Sequence, residues 1–319
     1  MSTEGGNKAI VAALSANMGI AAAKFVGFLI SGASSMLAES VHSLADSGNQ
    51  VLLLIGGKRA RREATAEHPF GFGRERYVYA FMVSIILFSV GGVFAIYEGV
   101  HKLQHPEPVE RAWIPITILL ISIGLESYSL RTALHESAEL RRGISVLEFV
   151  RRAKAPELPV VLLEDIAALV GLVLAMLGVG AAVLTHNGVW DGVGTVAIGV
   201  LLVLVAIVLG IEVKSLLVGE GASEVDRNAI TAAALDGTEI ERVIHMKSLY
   251  LGPDELMVGM KVAVGPTASA RQIADAINAV EQRVRAAVPV ARVLYIEPDI
   301  YDAALGAAPT QPGAVAREQ

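Results

Sequence analysis

Six apolar stretches, at about residues 9 to 30, 36 to 57, 77 to 99, 112 to 131, 157 to 184 and 191 to 217, leave this chain few ways to fold. Each can cross roughly 30 Å of hydrocarbon at about 1.5 Å per residue. A bilayer offers no water to unpaired backbone amides, so each stretch must be a helix. Composition agrees, since 53% of the residues are hydrophobic and only 18% charged, too apolar a balance for an ordinary soluble domain. The expected architecture over residues 1–219 is an all-α six-helix transmembrane domain.

The loops set its orientation. The second loop holds Lys58, Arg59, Arg61, Arg62, Arg74 and Arg76, and the fourth holds Arg141, Arg142, Arg151, Arg152 and Lys154. The first and fifth loops hold no basic residue, and the third holds only Lys102 and Arg111. The excess places the even loops and both termini on the cytoplasmic side, the expectation for a multi-pass protein of a bacterial inner membrane. The first apolar stretch lacks the basic leader and small-residue cleavage pattern of a signal peptide and is expected to remain as a span.

Beyond residue 217 the character changes. "SEVDRNAITAAALDG" reads as a helix opened by Ser223, "IERVIHMKSLY" and "ELMVGMKVAV" as strands joined by "LGPD", "SARQIADAINAVEQRVRAAV" as an amphipathic helix, and "ARVLYIEP" as a third strand. This order predicts a small α+β domain, ferredoxin-like αββαβ, over residues 220–302. Residues 303–319 are low in complexity and expected to be disordered.

The second stretch contains "AESVHSLADSGNQ", which puts Glu39, His42, Asp46, Asn49 and Gln50 on one helical face. Glu164 and Asp165 lie within the apolar fifth stretch, and Glu126 within the fourth. Carboxylates at such depth must face a cavity, a cation or a partner. Glu126 alone fits a structural hydrogen bond between helices equally well. His42 and Asp46 have the i, i+4 spacing by which two side chains grip one ion. With no cysteine in the chain, any metal must be held by imidazole nitrogen and carboxylate oxygen.

"SSMLAESVHSLADSGNQ", "EHPFGFGRERYVYAF" and "LLEDIAALVG", in this order on these spans, resemble the cation diffusion facilitator family of divalent-metal/proton antiporters. The wording is most similar to the branch of zinc-transporter-9-type proteins of mitochondria and their bacterial relatives. The resemblance implies a tetrahedral transport site built from two ligands on the second span and two on the fifth. Carried over residue by residue, His42, Asp46 and Asp165 match three of the four, and the fourth falls on Val161, which cannot bind metal. Glu164 is the expected replacement, with Glu39, Asn49 or water as alternatives. In the loop motif, His68 is kept but Phe72 stands where a second histidine would be, so a stable loop site is not expected and His68 fits a turn. The resemblance also implies a homodimer formed through both domains.

The expected function is export of a divalent cation, Zn²⁺ first, in exchange for protons by alternating access. Zn²⁺ accepts four nitrogen and oxygen ligands; Mn²⁺, Fe²⁺ and Co²⁺ are the alternative cargoes, and a metal sensor that does not transport is the alternative role. Ligands that lose protons to bind metal recover them on release, and histidine ordinarily titrates near pH 6.5, which makes His42 the expected coupling residue. The sequence holds no H-E-x-x-H pair, Walker motif or aspartyl-phosphate signature, so no enzyme, nucleotide or cofactor is expected. The net charge of −6 gives no sign of nucleic-acid binding.

Overall fold

The computed structural model describes residues 3–141 and 143–302. The residues after 302, read from composition as disordered, lie outside the described residues. Helix α1 runs over Thr3–Ser31 and α2 over Ser34–Ala60. The third apolar stretch forms one rod: α3 (Glu75–Ile86), a π-helical segment (Leu87–Val93) and α4 (Phe94–Gln104). Helix α5 covers Trp113–Arg141, the short α6 Val146–Arg152, α7 Glu157–Thr185 and α8 Val189–Val218.

Among the described residues, four helical segments are long and apolar enough to cross a membrane: the rod, Trp113–His135, α7 and α8. The apolar part described in α1, Asn17–Ser31, is shorter. Helix α2 has the length but is diluted by its polar residues, which cost several kcal/mol in lipid unless they face other helices. They do face other helices. Helix α2 packs against α1, the whole rod, α7 and α8, and buries Glu39, His42, Ser43 and Asn49 together with Met36 and Ala38.

Backbone-close packing holds α8 against the rod. A Cβ on Gly199 would lie 2.6 Å from the Ile96 amide nitrogen and 2.9 Å from the Gly92 carbonyl oxygen. Only a residue without a side chain allows that approach, as is common between membrane helices.

The two ends of the bundle are tied differently. At the α1–α2 turn, Gly32 takes the left-handed φ of +66° and its carbonyl accepts a 2.7 Å hydrogen bond from Lys102 Nζ. The next helix begins on a carboxylate. The Ser34 and Ser35 amides donate to the two oxygens of Asp191 at 2.6 and 3.3 Å, and both serine hydroxyls donate to the same group. A buried anion there satisfies orphan amides and meets the positive end of the helix dipole. At the opposite ends of their helices, Arg76 of α3 grips both carboxylate oxygens of Glu157 of α7 through Nε and Nη2.

The chain divides into two compact units, Met1–Val218 and Gly219–Gln319. In the second, α9 (Glu224–Leu235), β1 (Arg242–Gly252), β2 (Glu255–Ala263), α10 (Ala270–Ala287) and β3 (Ala291–Asp299) follow one another. The sheet order is β1-β2-β3, with β2 antiparallel to β1 and parallel to β3. Ser223 caps α9, and Ser269 with Gln272 forms a capping box on α10, so both helices start where side chains satisfy the first amides. Their apolar faces cover the sheet: Ile230, Val280 and Val284 meet Leu256, Val258 and Val262 in one core. Burial, with the Asp226 carboxylate beside it, pushes the Tyr250 phenol up to about 12.

Candidate metal centre

The polar face of α2 meets the bundle interior at His42. Its side chain is 1% exposed, and neither ring nitrogen has a hydrogen-bond partner among the described residues. Asp46 Oδ1 lies 3.4 Å from His42 Nδ1, one turn away, and is likewise without such a partner. Buried polar atoms are nearly always paired, so this orphaned nitrogen and oxygen set requires an explanation. The π-helical segment adjoins it: a Cβ on Gly91 would stand 4.0 Å from His42 Nδ1. Such segments are concentrated at functional sites.

The acids of α7 come to the same region from the facing helix. Glu164 Oε1 accepts a 2.8 Å hydrogen bond from Asn49 Nδ2, which links α7 to the polar face of α2. Asp165 points the other way around the helix and accepts a 3.1 Å bond from Ser129 of α5. Asp46 is within electrostatic reach of Glu164, Asp165 and Glu126 of α5, and Lys24 of α1 is within reach of both Asp46 and Glu126. Val161 packs against the apolar core. Among the described residues, no three His, Cys, Asp or Glu side chains come close enough to form a ready metal site. The pair on α2 stands open, while Glu164 and Asp165 are each held by a neutral hydrogen-bond donor.

Two further candidates, Glu39 and His68, have other engagements. Glu39 is fully buried, but its Oε2 is 2.9 Å from the ammonium of Lys24 on α1, itself 1% exposed. Lys24 also donates to Ser43 Oγ at 2.8 Å. Reading the polar face of α2 without its partner missed Lys24, although a lone lysine within an apolar stretch was the available signal. His68 is exposed; its backbone exchanges hydrogen bonds with Thr65, and its ring lies 4.7 Å from that of Phe72. It sits in a turn in this structure. Asp191, Ser129 and Gly171 also went unread, the first because it sits beside a loop, the others because serine and glycine are common in helix interfaces.

A bundle of apolar helices with ionisable side chains gathered in its interior is the build of a membrane protein that handles ions. The pattern of the Cation efflux transmembrane domain matches residues 10–218. The chain therefore belongs to the cation diffusion facilitator family. It is 35% identical over 181 residues to the mitochondrial proton-coupled zinc antiporter SLC30A9 of Xenopus laevis, covering 56% of this chain and 32% of that protein. The human SLC30A9 protein is 29% identical over 231 residues, covering 72% and 41%. Metal tolerance protein C4 of Arabidopsis thaliana is 28% identical, covering 77% and 54%. The chain thus spans about a third to two fifths of the length of the SLC30A9 relatives. The solved structure MamM-CTD is matched at 23% identity and a TM-score of 0.24, covering 24% of this chain and 98% of that one.

Proposed function

We propose that this chain exports divalent metal cations, Zn²⁺ first, from the cytoplasm in exchange for protons. The observation that carries this reading is the pair His42 and Asp46, a buried nitrogen and oxygen donor set one helical turn apart whose facing atoms bind nothing else. An imidazole with carboxylates suits four-coordinate Zn²⁺. The proton-coupled zinc antiport for which the SLC30A9 relatives are named supports both the metal and the proton.

Loading follows from the hydrogen bonds. An arriving cation is met by His42 and Asp46, and the acids of α7 complete its shell by exchanging Asn49 and Ser129 for the metal. Each ligand that carried a proton gives it up on binding and regains one on release, so one set of side chains serves both ions. No covalent chemistry is required. In this reading all six long helices cross the cell membrane with both termini inside. Two chains form a dimer, and the ferredoxin-like αββαβ domain lies on the cytoplasmic side.

The test is flux into proteoliposomes carrying a pH gradient. Asp46→Ala and Asp165→Ala should each abolish metal-dependent flux while the protein remains folded, since each removes a charged ligand from a low-dielectric interior. A wild-type rate in either variant would show that the site is misassigned. Metal binding without flux in the wild type would instead indicate the sensor.

A further inference from the structure

We propose that Lys24 is a specificity-determining residue: a tethered cation that holds Glu39 out of the transported ion's coordination shell. The proposal rests on the transport reading above and concerns which ion the same site accepts.

Three observations place Lys24 there. Its ammonium is 2.9 Å from Glu39 Oε2 and 2.8 Å from Ser43 Oγ, and Ser43 is the residue next to His42. Glu39 precedes His42 by three positions on α2, which puts the two side chains side by side on one face. The second oxygen of Glu39, Oε1, is buried, has no hydrogen-bond partner among the described residues, and faces Gly171 of α7. A Cβ at Gly171 would come to 2.8 Å from that oxygen, so α7 has a gap where the carboxylate lies. Glu39 therefore has a free oxygen at the edge of the site, and only its other oxygen is restrained.

The chemistry of the cargo gives this restraint its consequence. A carboxylate next to His42 would be an added oxygen ligand. Four nitrogen and oxygen ligands suit Zn²⁺, whereas six oxygens suit Mn²⁺. By neutralising Glu39, Lys24 keeps the donor set short and rich in nitrogen. It also keeps the summed charge of the acids on α2 and α7 one unit less negative than the carboxylates alone would make it, which favours release of a divalent ion.

Lys24→Met keeps the length of the side chain and removes the charge. In vesicles offered Zn²⁺ and Mn²⁺ in competition, the Mn²⁺ to Zn²⁺ flux ratio should rise by roughly tenfold or more, the scale on which a metal ligand or its support alters affinity. A buried pair that loses one partner can unfold, whereas one that loses both often does not, so the second variant is Lys24→Met with Glu39→Gln. Its ratio should return to the wild-type value, whatever its absolute rate, because the carboxylate that Lys24 holds in direct contact is gone with it. An unchanged ratio in folded Lys24→Met, or an altered ratio that persists in the double variant, would overturn the role given to Lys24. Wild-type vesicles that move neither ion would overturn the transport reading itself.

Discussion

Asp165 and Glu164 are neighbours in the chain and point about 100° apart around their helix, so in this arrangement only one of them faces α2 directly. The structure gives that place to Glu164, which receives Asn49 at 2.8 Å, and sends Asp165 to Ser129 of α5. Glu164→Gln keeps the bond to Asn49 and loses the charge. It should weaken Zn²⁺ binding by roughly tenfold or more, about 1.4 kcal/mol, measured by titration calorimetry in detergent; unchanged affinity would leave the vacancy at Val161 to water. His42→Asp should keep divalent flux but move preference from Zn²⁺ towards Mn²⁺, because oxygen replaces nitrogen at the same helical position. Competition flux at several pH values reads both the preference and the proton coupling. An identical profile would reduce His42 to a structural residue. The buried polar face of α2 was legible because period and residue type point the same way. Lys24 was not, since a single long side chain in an apolar stretch also fits snorkelling to the interface, and only the fold shows it 1% exposed against Glu39.

At the scale of elements, helix existence was written in the apolar lengths, and the αββαβ order of the small unit in its alternating and helical periods. What periodicity cannot show is a change of hydrogen-bond register inside a helix. "LFSVGGV" reads as ordinary helix, yet it is π-helical in the structure, and the pair Gly91 and Gly92 is the only local cue. Caps drawn from distant helices are equally silent. Asp191 is 157 positions from Ser34, and nothing near either residue announces the partnership. Asp191→Ala strips the start of α2 of its carboxylate and takes the acceptor from the Ser35 hydroxyl, while the Ser34 hydroxyl keeps Thr195 Oγ1 at 2.9 Å. The loss should be about 2 kcal/mol, the upper range for a helix cap, seen as a lower melting temperature in detergent. A variant as stable as the wild type would mean that water takes over the cap.

On the scale of the whole molecule, the two units have separate buried apolar cores, and the helical unit also presents large apolar side chains such as Leu177 and Leu204 outward. They should respond to alkali differently. The Tyr250 phenol is raised from 10.0 to about 12 by burial and the Asp226 carboxylate, so folding favours its neutral form. That contribution is fully present below the unfolded value and is lost as pH rises towards the folded one. Tyrosinate absorbance of the intact protein should contain a component titrating near 12 that is missing from Tyr250→Phe. A difference spectrum centred near 10 would show the phenol to be solvated.

The anchoring of α2 by Asp191 and Lys102 also decides where motion can occur. With its first turn fixed to α8 and the preceding carbonyl held from α4, α2 is anchored by buried polar groups at one end, while the other end rests on side-chain packing, with Gly56 against Tyr79 of α3. Any swing of α2 about that anchor would carry furthest the part beyond Asn49, towards the Arg76–Glu157 clasp between α3 and α7. The side chains nearest the anchor, Glu39 among them, would be nearly stationary, while Asp46 and Asn49 travel. A spin label placed near Ala60 should therefore report wide distance changes between loaded and empty protein, and one near Met36 almost none.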